Sequence, residues 1–123
     1  MKTEVPLIQN TLHELLSAHT PPLQIRIQTE TTFEVAGTKP GMQGKQKVDG
    51  YYFATVMPKP KDARFYFYPL YTHAEAFDLS PALKKYLKGK TCFHIKKMST
   101  ELEVEIQEMI AQGVALYVAD GLI

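Results

Sequence analysis

The chain has no tryptophan, one cysteine and two arginines in 123 residues, and none of its apolar runs approaches the length that crosses a bilayer. The lone Cys92 cannot pair within the chain and has no CxxC partner. That excludes a disulfide-stapled miniprotein and the common zinc and thioredoxin-like motifs, and it suits a reducing compartment. The run Met1-Lys2-Thr3-Glu4-Val5-Pro6 lacks the basic stretch, apolar region and cleavage site of a secretory signal, so a cytoplasmic protein with no membrane partner is expected. Repeats, low-complexity tracts and lipidation motifs are also missing. So few arginines at a net charge of +1 make a poor nucleic-acid binder.

What is present describes one soluble globular domain over residues 1–123, with 45% apolar and 22% charged residues around a single core. The near-zero total charge conceals a division. Residues 37–99 carry twelve Lys and Arg against four Asp and Glu, whereas residues 100–123 carry five acids and no Lys or Arg. Such opposite patches can meet across a homo-oligomer or dock an oppositely charged protein partner.

Hydrophobic spacing predicts the elements. Val5, Ile8, Leu12, Leu15 and Leu16 recur at helical spacing over residues 4–18, with Pro6 tolerable in the first turn and Pro21-Pro22 as the stop. From 23 to 35 the pattern alternates, with Leu23, Ile25, Ile27, Thr29, Phe33 and Val35 on one face, which predicts a long strand bent or broken near Thr29–Thr31. Residues 37–50 hold four glycines and three lysines and read as a loop. Two aromatic strands, 51–57 and 64–70, flank a hairpin connection, Pro58-Lys59-Pro60-Lys61-Asp62. Thr72-His73-Ala74-Glu75 and Thr100-Glu101-Leu102-Glu103 have capping-box form, and Ser80-Pro81 opens a helix over 81–88 closed by Gly89. Residues 91–97 alternate again, and a last helix to about residue 119 buries Leu102, Ile106, Met109, Ile110, Gly113 and Tyr117. The order α-β-β-β-α-β-α predicts an α+β fold, an antiparallel or mixed β-sheet with helices packed on one face.

This order, with the runs Gly50-Tyr-Tyr-Phe-Ala-Thr-Val-Met, Arg64-Phe-Tyr-Phe-Tyr-Pro-Leu and Leu83-Lys-Lys-Tyr-Leu-Lys-Gly-Lys-Thr-Cys-Phe-His-Ile, resembles the YdhG-like family of small bacterial domains of unknown function. One branch of that family is likened to frataxin. The resemblance implies a non-enzymatic protein of intracellular iron handling and carries over no site residue.

Several constellations are candidates for chemistry. Glu101, Glu105 and Glu108 fall on one stripe of the last helix, where three carboxylates would bind iron or another hard cation weakly, or simply form a solvated face. Cys92 and His94 share a strand face and are two soft-metal ligands short of a full set, unless His13, His19 or His73 folds toward them. The run Gly41-Met42-Gln43-Gly44-Lys45-Gln46 is too short for a P-loop and lacks its Ser or Thr. Its GXXG spacing matches the KH clamp only superficially, because that loop belongs between helices. In the aromatic hairpin, Arg64, Tyr66 and Tyr68 share one face close to Lys59, Lys61 and the loop that carries Lys45 and Lys47, an aromatic and cationic set suited to a small anionic or planar ligand, unless a helix covers the tyrosines. Lys84 to Lys97 forms a basic block whose default is a solvated face. No nucleophile–base pair or cofactor fingerprint can be assembled, so a binding or accessory protein is expected ahead of an enzyme.

Overall fold

A computed structural model describes residues 1–43 and 45–123. Helix α1 (Val5–Ser17) buries Ile8, Leu12 and Leu16, a stripe repeating every fourth residue. The alternating segment after it does not continue as one strand. It folds back as an antiparallel pair, β1 (Gln24–Gln28) and β2 (Phe33–Ala36). The reversal falls where the threonines cluster: the Thr29 hydroxyl accepts the N–H groups of Thr31 and Thr32, and the Thr29 N–H donates to the Thr32 carbonyl at 2.9 Å. One consequence corrects the expected core. Phe33 and Val35 are buried, but Ile25 and Ile27 are 45% and 40% exposed, because β1 is the sheet's edge and has a neighbour on one side only.

The segment read as a loop over 37–50 contains a two-stranded ribbon, β3 (Gly41–Gln43) and β4 (Gln46–Val48). Strands of three residues are held by backbone pairing and bury little, so they leave no hydrophobic pattern to read. Gly44, part of the run tested against phosphate motifs, lies outside the described residues. The aromatic hairpin forms from β5 (Tyr52–Pro58) and β6 (Ala63–Phe67), its turn closed by the Lys59 N–H donating to the Asp62 carbonyl at 2.8 Å, but β6 stops at Phe67 instead of reaching residue 70 because Pro69 opens a helical turn.

Helix α2 (Pro69–Thr72) and a single 3-10 turn (Ala74–Ala76) follow. Thr72 caps neither; its hydroxyl lies 2.8 Å from His73 Nδ1. Ser80 does cap α3 (Pro81–Lys84), accepting the Leu83 N–H, but the helix stops after one turn instead of reaching residue 88. The chain is captured by β-pairing: β7 (Leu87–Lys88) runs antiparallel to β8 (Cys92–Ile95), and the Tyr86 carbonyl accepts the His94 N–H at 2.8 Å. Gly89, at φ +72°, makes the reversal that a side chain would strain. Helix α4 (Thr100–Ala119) is capped one residue earlier than the sequence pattern indicated, by Ser99 accepting the Leu102 N–H, and buries all six residues of the expected face.

The result is an α+β fold. Six strands in the order β1-β2-β5-β6-β8-β7 pair antiparallel throughout, and the helices pack on one face. Phe53, Phe65, Phe67, Phe93 and Ile95 meet Ile8, Leu12, Ile106, Ile110 and Tyr117 in one core. Helix α4 comes closest at Gly113, where a Cβ would lie 2.7 Å from Phe67 Cζ and 3.1 Å from Phe53 Cζ. One turn on, the buried Tyr117 hydroxyl donates to the Tyr52 carbonyl. Among the described residues no helix is long and apolar enough to cross a membrane.

Gly113→Val drives a branched side chain into these rings and is expected to destabilise the fold by about 1–3 kcal/mol in urea denaturation. The same residue introduced on the exposed side, Ala111→Val, should lose less than about 1 kcal/mol, the cost of helix propensity alone.

Candidate functional site

Because side chains alternate along a strand, the phenylalanines that fill the core dictate what stands on the opposite face. In β6, burying Ala63, Phe65 and Phe67 turns Arg64 and Tyr66 outward. Cross-strand register then assembles two rows. Glu34, Thr55, Tyr66, Cys92 and Lys88 are successive partners across five strands; Met57, Arg64 and His94 form the next row. All of this lies on the sheet face away from the helices.

Arg64 is fixed by the hairpin turn. Its Nε donates to Asp62 Oδ1 at 2.7 Å, and Asp62 is only 7% exposed. This pairing compensates the buried carboxylate and pushes the already high guanidinium pKa further up. It also orients the terminal nitrogens of Arg64, the donors that grip an anion bidentately. Two shallow hollows of about 270 Å³ each meet at Asp62. One is lined by Lys59, Pro60, Lys61 and Arg64 and the other by Lys85, Tyr86, Lys88, His94 and Lys96. Their six Lys and Arg side chains face one carboxylate, and that carboxylate is already paired.

The neighbours respond to this field. Burial and then Arg64 hold the His94 imidazole below its ordinary pKa; Asp62 pulls the other way, more strongly than either Lys88 or Lys96 pushes it down. Burial pushes the Cys92 thiol up despite Tyr66 and Arg64, and burial beside Cys92 raises the Tyr66 hydroxyl. A protonated thiol at neutral pH is a poor nucleophile, and the neutral imidazole stands in the neighbouring row. The chemistry this arrangement favours is anion recognition.

The other candidates are distributed elsewhere. Tyr68 sits in a tyrosine cluster with Tyr51, Tyr52 and Tyr71, at ring-centroid separations of 5.5–5.9 Å. Lys45 and Lys47 are exposed on or beside the β3–β4 ribbon, which packs at Tyr51: a Cβ on Gly41 would lie 3.3 Å from Tyr51 Cδ2. Of the five residues grouped as a ligand site, the structure therefore joins Arg64 with Tyr66 and sends the rest to the Tyr51 side. The glutamate stripe is not assembled for a metal. Glu105 accepts the Ser80 N–H at 2.8 Å and the Ser80 hydroxyl at 2.6 Å, while Glu101 and Glu108 point to solvent. Cys92 and His94 gain no third ligand: His13 packs on Phe33 at 4.0 Å, and His73 Nε2 pairs with Asp120 at 2.7 Å. Among the described residues no group of three or more His, Cys, Asp or Glu side chains is placed to hold a metal ion.

Two residues of the site, Asp62 and Tyr86, carry little mark of it in the sequence pattern. Asp62 reads as a turn residue; the signal is its spacing, two before Arg64 on an alternating strand. Tyr86 falls within the expected helix 81–88, which the structure ends at Lys84. The chain matches no family model, no curated protein and no solved structure.

His94 provides a direct check. Its charged form is disfavoured in the folded chain, so its contribution to stability is complete above the ordinary histidine pKa of about 6.5 and is lost as pH falls below it. NMR titration should place His94 below that value, and Arg64→Gln should raise it, since the variant removes a cation and leaves Asp62 unpaired. A His94 that titrates at or above 6.5 in the parent protein contradicts the electrostatic picture.

Proposed function

We propose that the chain is a non-enzymatic binding protein for a small anionic ligand, seated on the helix-free sheet face at Arg64. The observation that carries this reading is the excess of cationic side chains around two adjoining hollows whose only lining carboxylate is spent on Arg64. Like charges held together repel, and a bound anion relieves that repulsion. Tyr66 and Met57 beside Arg64 add apolar surface for the body of a ligand. The raised thiol and lowered imidazole favour recognition over catalysis. Iron handling rests on the family resemblance and on the stripe Glu101, Glu105 and Glu108, of which Glu105 is already engaged by Ser80.

Titration with inorganic phosphate at low ionic strength, followed by NMR, tests this. Saturable shifts at Arg64 and His94 are expected. Arg64→Gln should weaken binding roughly tenfold or more, the scale of one charge-assisted hydrogen bond, while Lys45→Ala/Lys47→Ala stays within about twofold. Shifts centred on Lys45 and Lys47, or none that saturate, would remove the Arg64 site. Ferrous iron bound by the parent and lost in the Glu101, Glu105 and Glu108 triple alanine variant would favour iron handling instead.

A further inference from the structure

The two hollows adjoin at Asp62 and are alike in charge. Each presents three cationic side chains: Lys59, Lys61 and Arg64 on one side, Lys85, Lys88 and Lys96 on the other. Between them stands Asp62, which lines both. Its carboxylate is immobilised, buried at the end of the hairpin turn and bonded to Arg64. A single anion centred on the shared rim would face that carboxylate. An anion displaced to either side faces cations, but uses only half of them.

From this we infer that the ligand carries two anionic groups on a short bridge, one for each side of Asp62, and that its chemical class is a diphosphate. The inference rests on the anion-binding reading of the same face. Phosphate oxygens suit the donors present: the fork of Arg64 takes two oxygens of one group, and the lysine ammoniums act as point charges on the other. Joining two weakly held groups turns the second contact into an intramolecular one, so affinity rises without any new contact. His94 stands in the second hollow among Arg64, Lys88, Lys96 and Asp62, where a bound phosphoryl group would favour its imidazolium and add a donor. The Tyr86 ring also lines this hollow, with Lys85 Nζ 5.1 Å from its centroid.

Calorimetry on the full chain at low ionic strength, with inorganic phosphate, pyrophosphate and succinate as probes, tests the inference. Lys59, Lys61, Lys88 and Lys96 are all exposed, so their removal leaves the fold intact, which circular dichroism confirms. Pyrophosphate should bind one to one and at least about tenfold more tightly than phosphate. Lys59→Ala/Lys61→Ala and Lys88→Ala/Lys96→Ala should each return it to the phosphate level, whereas Lys84→Ala/Lys90→Ala, two lysines outside both hollows, should leave it within about twofold. Equal affinity for phosphate and pyrophosphate overturns the two-group inference while phosphate binding lost in Arg64→Gln preserves the site. Equal losses in all three lysine pairs reduce the effect to diffuse charge and overturn it too. Succinate binding as tightly as pyrophosphate overturns the diphosphate class. If neither phosphate nor pyrophosphate binds, the inference and the anion-binding reading fall together.

Discussion

The structure depends on how closely α4 lies on the sheet. Gly113 lets the helix backbone reach the Phe53 and Phe67 rings, and Tyr117 then spans to the Tyr52 carbonyl. With the phenylalanines held beneath α4, the alternation of β6 and β8 leaves no choice about the other surface. Arg64, Tyr66, Cys92 and His94 face outward because Phe65, Phe67, Phe93 and Ile95 face inward. The candidate site is the reverse side of the core.

The same asymmetry explains how the chain uses its two signs of charge. Acids of α4 and its C-terminal end are largely spent on structure: Glu103 pairs with Lys2 at 2.6 Å, Glu105 holds Ser80 at the start of α3, and Asp120 pairs with His73. Such contacts fasten the ends of the chain and a one-turn helix to the main body. The cations of the hairpin turn and of the segment 84–97 have no comparable set of acids, since Asp62 serves Arg64. Near-neutrality is thus reached by two unlike populations: three of the five acids after residue 99 are paired within the fold, whereas the lysines around Asp62 face water.

How far this was legible in the sequence depended on the source of order. Elements shaped by burial were readable: α1, the aromatic hairpin, β8 and the buried face of α4 follow from apolar spacing alone. Elements shaped by backbone pairing were not. The β3–β4 ribbon buries little, β7 is two residues long, and the β1–β2 reversal occurs inside an alternating pattern that continues on either side of it. The site was half legible for the same reason. Strand alternation paired Arg64 with Tyr66 and Cys92 with His94, and the hairpin turn put Lys59 and Lys61 beside Arg64, but joining those pairs required the β6–β8 register, and adding Lys85 and Lys88 required α3 to end early. Tyr68 was misplaced with them because β6 ends at Phe67, where the chain turns into α2.

The helix-free face has one more consequence, for how such a protein changes over generations. Its outward rows share strands with the core but not packing, so a substitution at Met57, Tyr66 or His94 alters the chemistry of the surface while Phe65 and Phe93 keep the sheet in place. The chemistry of this face can therefore drift at little cost to folding. The scaffold is conservative on one side and free to experiment on the other.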